Sequence, residues 1–334
     1  MANTTVDSKT LFLSNASSSW LKEILTLCLI VPMGLIGTVL NLISLSIFLK
    51  KSIKKIALFK YLIIISVINS ILAFSLIFCF LYSFYVFFEL TLSISGRIFN
   101  SIGINGIIFF FFFLSNLIEI MINIERALYF SEGYEKIKKV SPYLICFFIL
   151  ILSLIIYTPN FLSLKLVPED QIFILNKIAM PSDFALSKLG KIILSLSYIL
   201  EGPIIFFLLI VTNIIAIISY KKFNQRNELI ERANNIEMMA EGEIRKKNKI
   251  EKMDRKLLIM TSYLSLISIL AELIQFTALF SYFIVSNLSP KTIGWLAFAS
   301  LLSISLKQFT SIIVYYNYKM FRKELKNLIK KFLN

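Results

Sequence analysis

The feature that most constrains this chain is the stretch from Ile98 to Glu135, which runs through five consecutive phenylalanines, Phe109 to Phe113, and ends abruptly in charge. It holds roughly thirty apolar-dominated residues, and at about 1.5 Å per helical residue it is long enough to cross a bilayer core of about 30 Å with tilt to spare. One helix therefore passes from face to face of a membrane. Within it Ser115, Asn116, Glu119 and Asn123 recur at helical spacings of three and four. Lipid would penalise such a polar stripe, so it must face other helices. The stretch leaves the apolar layer at the adjacent acid and base Glu125 and Arg126.

Composition agrees. The chain of 334 residues is 57% hydrophobic and 16% charged, with 31 phenylalanines and no histidine; mean hydropathy is +0.78. A soluble domain with so little charged surface would aggregate, which leaves a polytopic membrane protein. Absence of histidine excludes a serine–histidine triad and a histidine-based zinc site. The three cysteines, Cys28, Cys79 and Cys146, each fall inside an apolar run and read as packing residues. No metal, cofactor or enzymatic activity is expected.

Seven spans are predicted, giving an all-α membrane protein: 21–49, 57–88, the Ile98–Glu135 stretch, 140–164, 189–220, 257–285 and 292–316. Gly34, Gly37 and Asn41 supply close-packing and hydrogen-bonding positions in the first, and Asn69 a polar group in the second. Asn41, Asn69, Asn116 and Glu119 thus make up an expected intramembrane polar core. Bends are expected at Thr158–Pro159 and at Glu201-Gly202-Pro203. A polar tail, 1–20, without an apolar run to serve as a cleavable signal, precedes the bundle, 21–316, and a basic segment, 317–334, follows it. In that segment Phe321, Leu325, Leu328, Ile329 and Phe332 recur at spacings of three and four between Lys and Arg. This is the pattern of an amphipathic helix lying on anionic lipid.

Orientation follows from the basic residues. Five lie in Lys50 to Lys60, four in Arg126 to Lys139, eleven in Lys221 to Lys256 and six in Lys319 to Lys331, together 26 of the 35 Lys and Arg. The positive-inside rule puts these segments in the cytoplasm and the amino terminus outside. Three glycosylation sequons, at Asn3, Asn15 and Asn287, independently fall on the outer side. The interleaving of basic connectors with apolar runs also argues against nucleic acid as the reason for the net charge of +15.

Seven spans, an outer amino terminus with sequons, Glu125-Arg126 at the inner end of span three and a basic helix after span seven resemble the G-protein-coupled receptors. Ile124-Glu125-Arg126-Ala127 followed by Tyr134-Glu135-Lys136 is similar to the E-R…Y-E pattern of nematode chemosensory serpentine receptors, although Tyr129 stands where those usually have alanine. Span two has Asn69 where rhodopsin-like receptors have aspartate, and span seven has Thr310-Ser311-Ile312-Ile313-Val314 in place of Asn-Pro-x-x-Tyr. The resemblance implies a plasma-membrane receptor carrying an extracellular small-molecule or peptide signal to a heterotrimeric G protein. In it Arg126 would pair with Glu125, Glu251 or Asp254 until span six moves outward. The alternatives are a seven-span ligand-gated channel or a transporter.

Glu201, Glu272, Gln275 and Lys307 lie within apolar runs of the outer half. Either Lys307 forms a structural ion pair with Glu272 or Glu201, or these groups line a ligand cavity. Glu119 reads as a hydrogen-bonded interior residue. The surroundings of Lys307, Leu306 to Phe309, do not resemble the opsin attachment stretch, so no retinal is expected.

Overall fold

In a computed structural model, residues 21–22, 24–50, 57–78, 106–130, 140–166, 179–234, 241–284, 289–309 and 319–333 are described. The sequons at Asn3, Asn15 and Asn287, Cys79, the segment 131–139 and Thr310 to Val314 lie outside them. The apolar runs are helical because a backbone in lipid must satisfy its own hydrogen bonds, and only a helix does so within one segment. Span one is Val31–Phe48 behind a π-helical turn, Thr26–Ile30; span two is Ala57–Ile77, span three Ile108–Tyr129 and span four Pro142–Leu162. Span five consists of Lys188–Ile199, a π-helical turn Leu200–Ile204, and Ile205–Asn234. Span six is Glu241–Ile284, an uninterrupted helix of 44 residues. Span seven is Pro290–Lys307, and a last helix covers Lys319–Leu333.

Six of these helices are long and apolar enough to cross a membrane, and Trp295–Lys307 is a shorter apolar seventh. Their outer faces carry exposed large side chains, such as Phe147, Phe148 and Ile155 in span four and Phe207 and Val211 in span five. On a multi-pass membrane protein these meet lipid tails. Span three is the axis, 67% buried where span four is 17% buried. Phe59, Tyr61 and Leu62 pack with Ile118 and Ile122 of its C-terminal half; Leu72, Leu76, Ala271 and Phe298 pack with Ile108 and Phe112 of its N-terminal half.

The close-packing positions expected in span one meet span two at Gly34 and the end of span seven at Gly37. A Cβ built on Gly34 would stand 2.9 Å from the backbone oxygen of Ala73, and one on Gly37 would stand 2.8 Å from Cβ of Gln308. Both glycines are buried because nothing larger fits.

The two expected bends differ. Span four continues as helix through Pro159 to Leu162. Glu201-Gly202-Pro203 instead sits inside the π-helical turn of span five, the local widening that accommodates a proline lacking its N–H. Between spans four and five the outward connection contains a two-stranded antiparallel hairpin, β1 Leu164–Leu166 and β2 Ala179–Pro181, with Leu164 opposite Pro181. The Ser182 N–H donates to the Ser163 carbonyl at 2.8 Å and its hydroxyl to that of Leu162 at 2.6 Å, which ties the hairpin to span four. Ser187 then caps span five by accepting from the Gly190 N–H at 2.9 Å.

The last helix docks by its apolar stripe. Phe321 is fully buried with its ring 5.6 Å from Phe48, which in turn lies 5.8 Å from Phe59. Lys50 pairs with Glu324 beside this contact, and the bond holds the Glu324 carboxyl below its usual pKa. Arg322, Lys323, Lys326 and Lys330 are left on the exposed side.

Candidate functional site

The polar stripe of span three is where the structure concentrates its buried hydrogen-bonding groups. Ser115, Asn116, Glu119, Asn123 and Arg126 are at most 4% exposed, as a helix with polar groups at three- and four-residue spacing must arrange when lipid surrounds it. Four of them reach side chains of neighbouring helices. The Ser115 hydroxyl donates to Oδ1 of Asn69 in span two at 3.0 Å. Oδ1 of Asn123 accepts from the Ser265 hydroxyl in span six at 2.9 Å.

Between these ties lies the charged centre. Lys307 of span seven is fully buried, its Nζ 3.2 Å from Oε2 of Glu119, while Nζ donates to Oδ1 of Asn116. The Asn116 amide donates in turn from Nδ2 to Oε2 of Glu272 in span six at 2.6 Å. The amide accepts from the cation and gives to the acid, the one orientation that uses both ends. The Phe112 ring, 5.1 Å from Nζ, covers the ammonium from the outer side. Spans three, six and seven are thus joined through one cation, one amide and two carboxylates.

The structure adds Glu119 to the partners expected for Lys307. The ion-pair partner seen for Lys307 is Glu119, and Glu272 is reached through Asn116. Glu119, read from the sequence as a hydrogen-bonded interior residue, forms an ion pair with Lys307, because it lies one helical turn beyond Asn116 on the face turned toward span seven. Glu201 belongs to a separate cluster: its Oε1 accepts from Nδ2 of Asn160 in span four at 2.5 Å. Gln275 is buried, and its Oε1 has no hydrogen-bond partner. Asn41 is buried as expected but donates to Gly37 O of its own helix at 2.8 Å rather than across the bundle. Asn160, Ser265 and Ser197 were not singled out from the sequence; a polar residue at a helical spacing within an apolar run was the available signal.

Of the three partners expected for Arg126, namely Glu125, Glu251 and Asp254, Glu125 is not bonded to its terminal nitrogens. The Arg126 side chain is buried, and neither Nη1 nor Nη2 has a hydrogen-bond partner among the described residues. The hydroxyl of Tyr220, in span five, is also buried without one. The Tyr220 ring stands 5.1 Å from that of Phe130, one turn beyond Arg126, which places both groups at the same end of the bundle. Glu251 and Asp254 fall on the span-six helix, but their side chains lie outside the described residues. Among the described residues no group of three or more His, Cys, Asp or Glu could hold a metal ion.

No protein-family model and no curated protein matches the chain. Among solved structures it is similar to squid rhodopsin, with a TM-score of 0.71 at 14% identity over 92% of this chain and 80% of that one. The chain has the rhodopsin-like seven-helix fold.

Proposed function

We propose that the protein is a G-protein-coupled receptor of chemosensory type. Its amino terminus and sequons lie outside the plasma membrane, and its basic connectors and last helix lie in the cytoplasm. The bundle, 21–316, carries the switch; the tail, 1–20, is glycosylated, and the segment 317–334 lies along the inner leaflet. A small-molecule or peptide signal from outside is passed to a heterotrimeric G protein.

The observation that carries this reading is the pair of unsatisfied polar groups at the inner end of spans three and five. A buried guanidinium without hydrogen bonds costs several kcal/mol relative to a satisfied one. Such a group persists where something else completes it, here the acceptor atoms of a cytoplasmic partner. An outward shift of span six would uncover Arg126, and an agonist favours that state only by binding it better than the closed one.

The test is Arg126→Ala in reporter cells exposed to a chemical panel. Normal surface delivery with signalling lost or altered is expected. Unchanged signalling removes the role assigned to Arg126, and agonist-dependent current without G protein would make the protein a channel.

A further inference from the structure

Glu201 carries an acid that the described part of the bundle does not neutralise. Of the two buried cations described, Lys307 is engaged by Glu119 and Asn116, and Arg126 lies at the other end of span three. Glu201 has no basic partner among the described residues, and its hydrogen bonds are confined to Oε1. The Ser197 hydroxyl lies 3.4 Å from that oxygen but only 2.5 Å from the Ile156 carbonyl, and its single proton goes to the nearer acceptor. One donor, the Asn160 amide, therefore faces the carboxylate. The other end of that amide, Oδ1, is buried and has no partner.

The place is built to receive something. Glu201 lies on the π-helical turn of span five, a distortion found disproportionately at functional positions because it re-aims side chains. The side chain is only partly buried, so Oε2 is reachable. One turn further along, the Phe206 ring stacks on Phe276 of span six, with centroids 6.3 Å apart and planes at 12°. Two unfilled acceptors, one of them on an acid with no basic partner among the described residues, and a neighbouring aromatic pair together fit a cation with an apolar body.

We infer that Glu201 and Asn160 form the recognition site for a small ligand bearing a protonated amine. The ammonium donates to Oε2 of Glu201 and Oδ1 of Asn160, and the hydrocarbon part lies against Phe206 and Phe276. Glu201 sits 13 residues into span five, about 20 Å along the helix from Lys188. Its partner Asn160 lies two residues before the end of span four at Leu162, so the site is close to the β1–β2 hairpin. The inference rests on the receptor reading and narrows its ligand to one class.

The test uses the full chain in lipid nanodiscs with a series of primary amines, from butylamine to 2-phenylethylamine, each paired with the alcohol of the same carbon skeleton. Amines are expected to raise the melting midpoint saturably, and the alcohols are not. Glu201→Gln should weaken amine binding roughly 10- to 100-fold, the worth of a charge-assisted hydrogen bond. Glu201→Asp, which keeps the charge but draws it back by one methylene, should weaken it less and serves if the glutamine variant does not fold. The site is overturned if no amine shifts the wild-type protein, if alcohols act equally, or if both variants bind amines as the wild type does. Nucleotide exchange on added G protein separates the two readings. Amine binding that never drives exchange leaves the site and removes the receptor reading; exchange driven only by uncharged ligands does the reverse.

Discussion

Lys307 and Glu119 face each other at 3.2 Å across the interior between spans seven and three, with neither side chain more than 3% exposed. A charge pair this deep is held by what its loss would leave behind. Removing one partner strands the other in a low dielectric, while replacing both with apolar groups of similar volume is often tolerated. Lys307→Met should therefore cost about 3–5 kcal/mol, and Lys307→Met combined with Glu119→Leu should recover most of it. Thermal unfolding of the purified variants measures both; a double variant as unstable as the single would show that the pair is not the source of the cost.

The contact of spans one and two makes a steric prediction. Gly34→Ala sets a methyl 2.9 Å from a backbone oxygen that cannot rotate away. Overpacking of this kind costs roughly 1–3 kcal/mol. A lower melting midpoint is expected for Gly34→Ala and Gly37→Ala, and no change for Val39→Ala, whose side chain is exposed.

Asn69 and Ser115 tie span two to span three by one bond inside the bundle. Ser115→Ala leaves the Asn69 oxygen without that donor and should cost about 1–3 kcal/mol. Ser115→Thr, which keeps the hydroxyl, should cost less; equal losses from the two would locate the effect in packing instead.

The anchorage of the last helix depends on pH with a definite sign. Because Lys50 holds the folded-state pKa of Glu324 below its ordinary value, the contribution of the pair is complete above the ordinary carboxylate range and disappears as pH falls through the folded pKa. Between about pH 7 and 5 the helix should stay docked, and in strong acid it should loosen. Fluorescence of a label on Lys330 would report this, and Glu324→Gln should abolish the transition.

For orientation, Asn15→Gln should remove one glycan-dependent step in electrophoretic mobility, and an epitope tag ahead of Asn3 should stain intact cells. Staining only after permeabilisation would invert the bundle.

How much of this could be read beforehand depended on the range of the forces involved. The spans were legible because apolar length is local, and the stripe Ser115, Asn116, Glu119, Asn123 was legible because helical periodicity fixes which residues share a face. Which acid meets Lys307 was not legible. That choice turns on the rotation and depth of three helices packed together, and a shift of one turn exchanges Glu119 for Asn116. Pairing of Glu201 with Asn160 is of the same kind, set by contact between spans four and five. The π-helical turn was half legible: Pro203 demanded a distortion, but proline alone does not say whether the chain kinks or widens, and Pro159 does neither visibly.

The 44 residues of span six form one stiff rod, about 66 Å from end to end. Ser265, bonded to Asn123, lies 24 residues, or about 36 Å, from the rod's inner tip at Glu241. Pivoting about that bond by about 10° would sweep the tip through about 6 Å. A disturbance too small to break the charged centre would thus arrive at the Glu241 end of the bundle already magnified, by leverage alone.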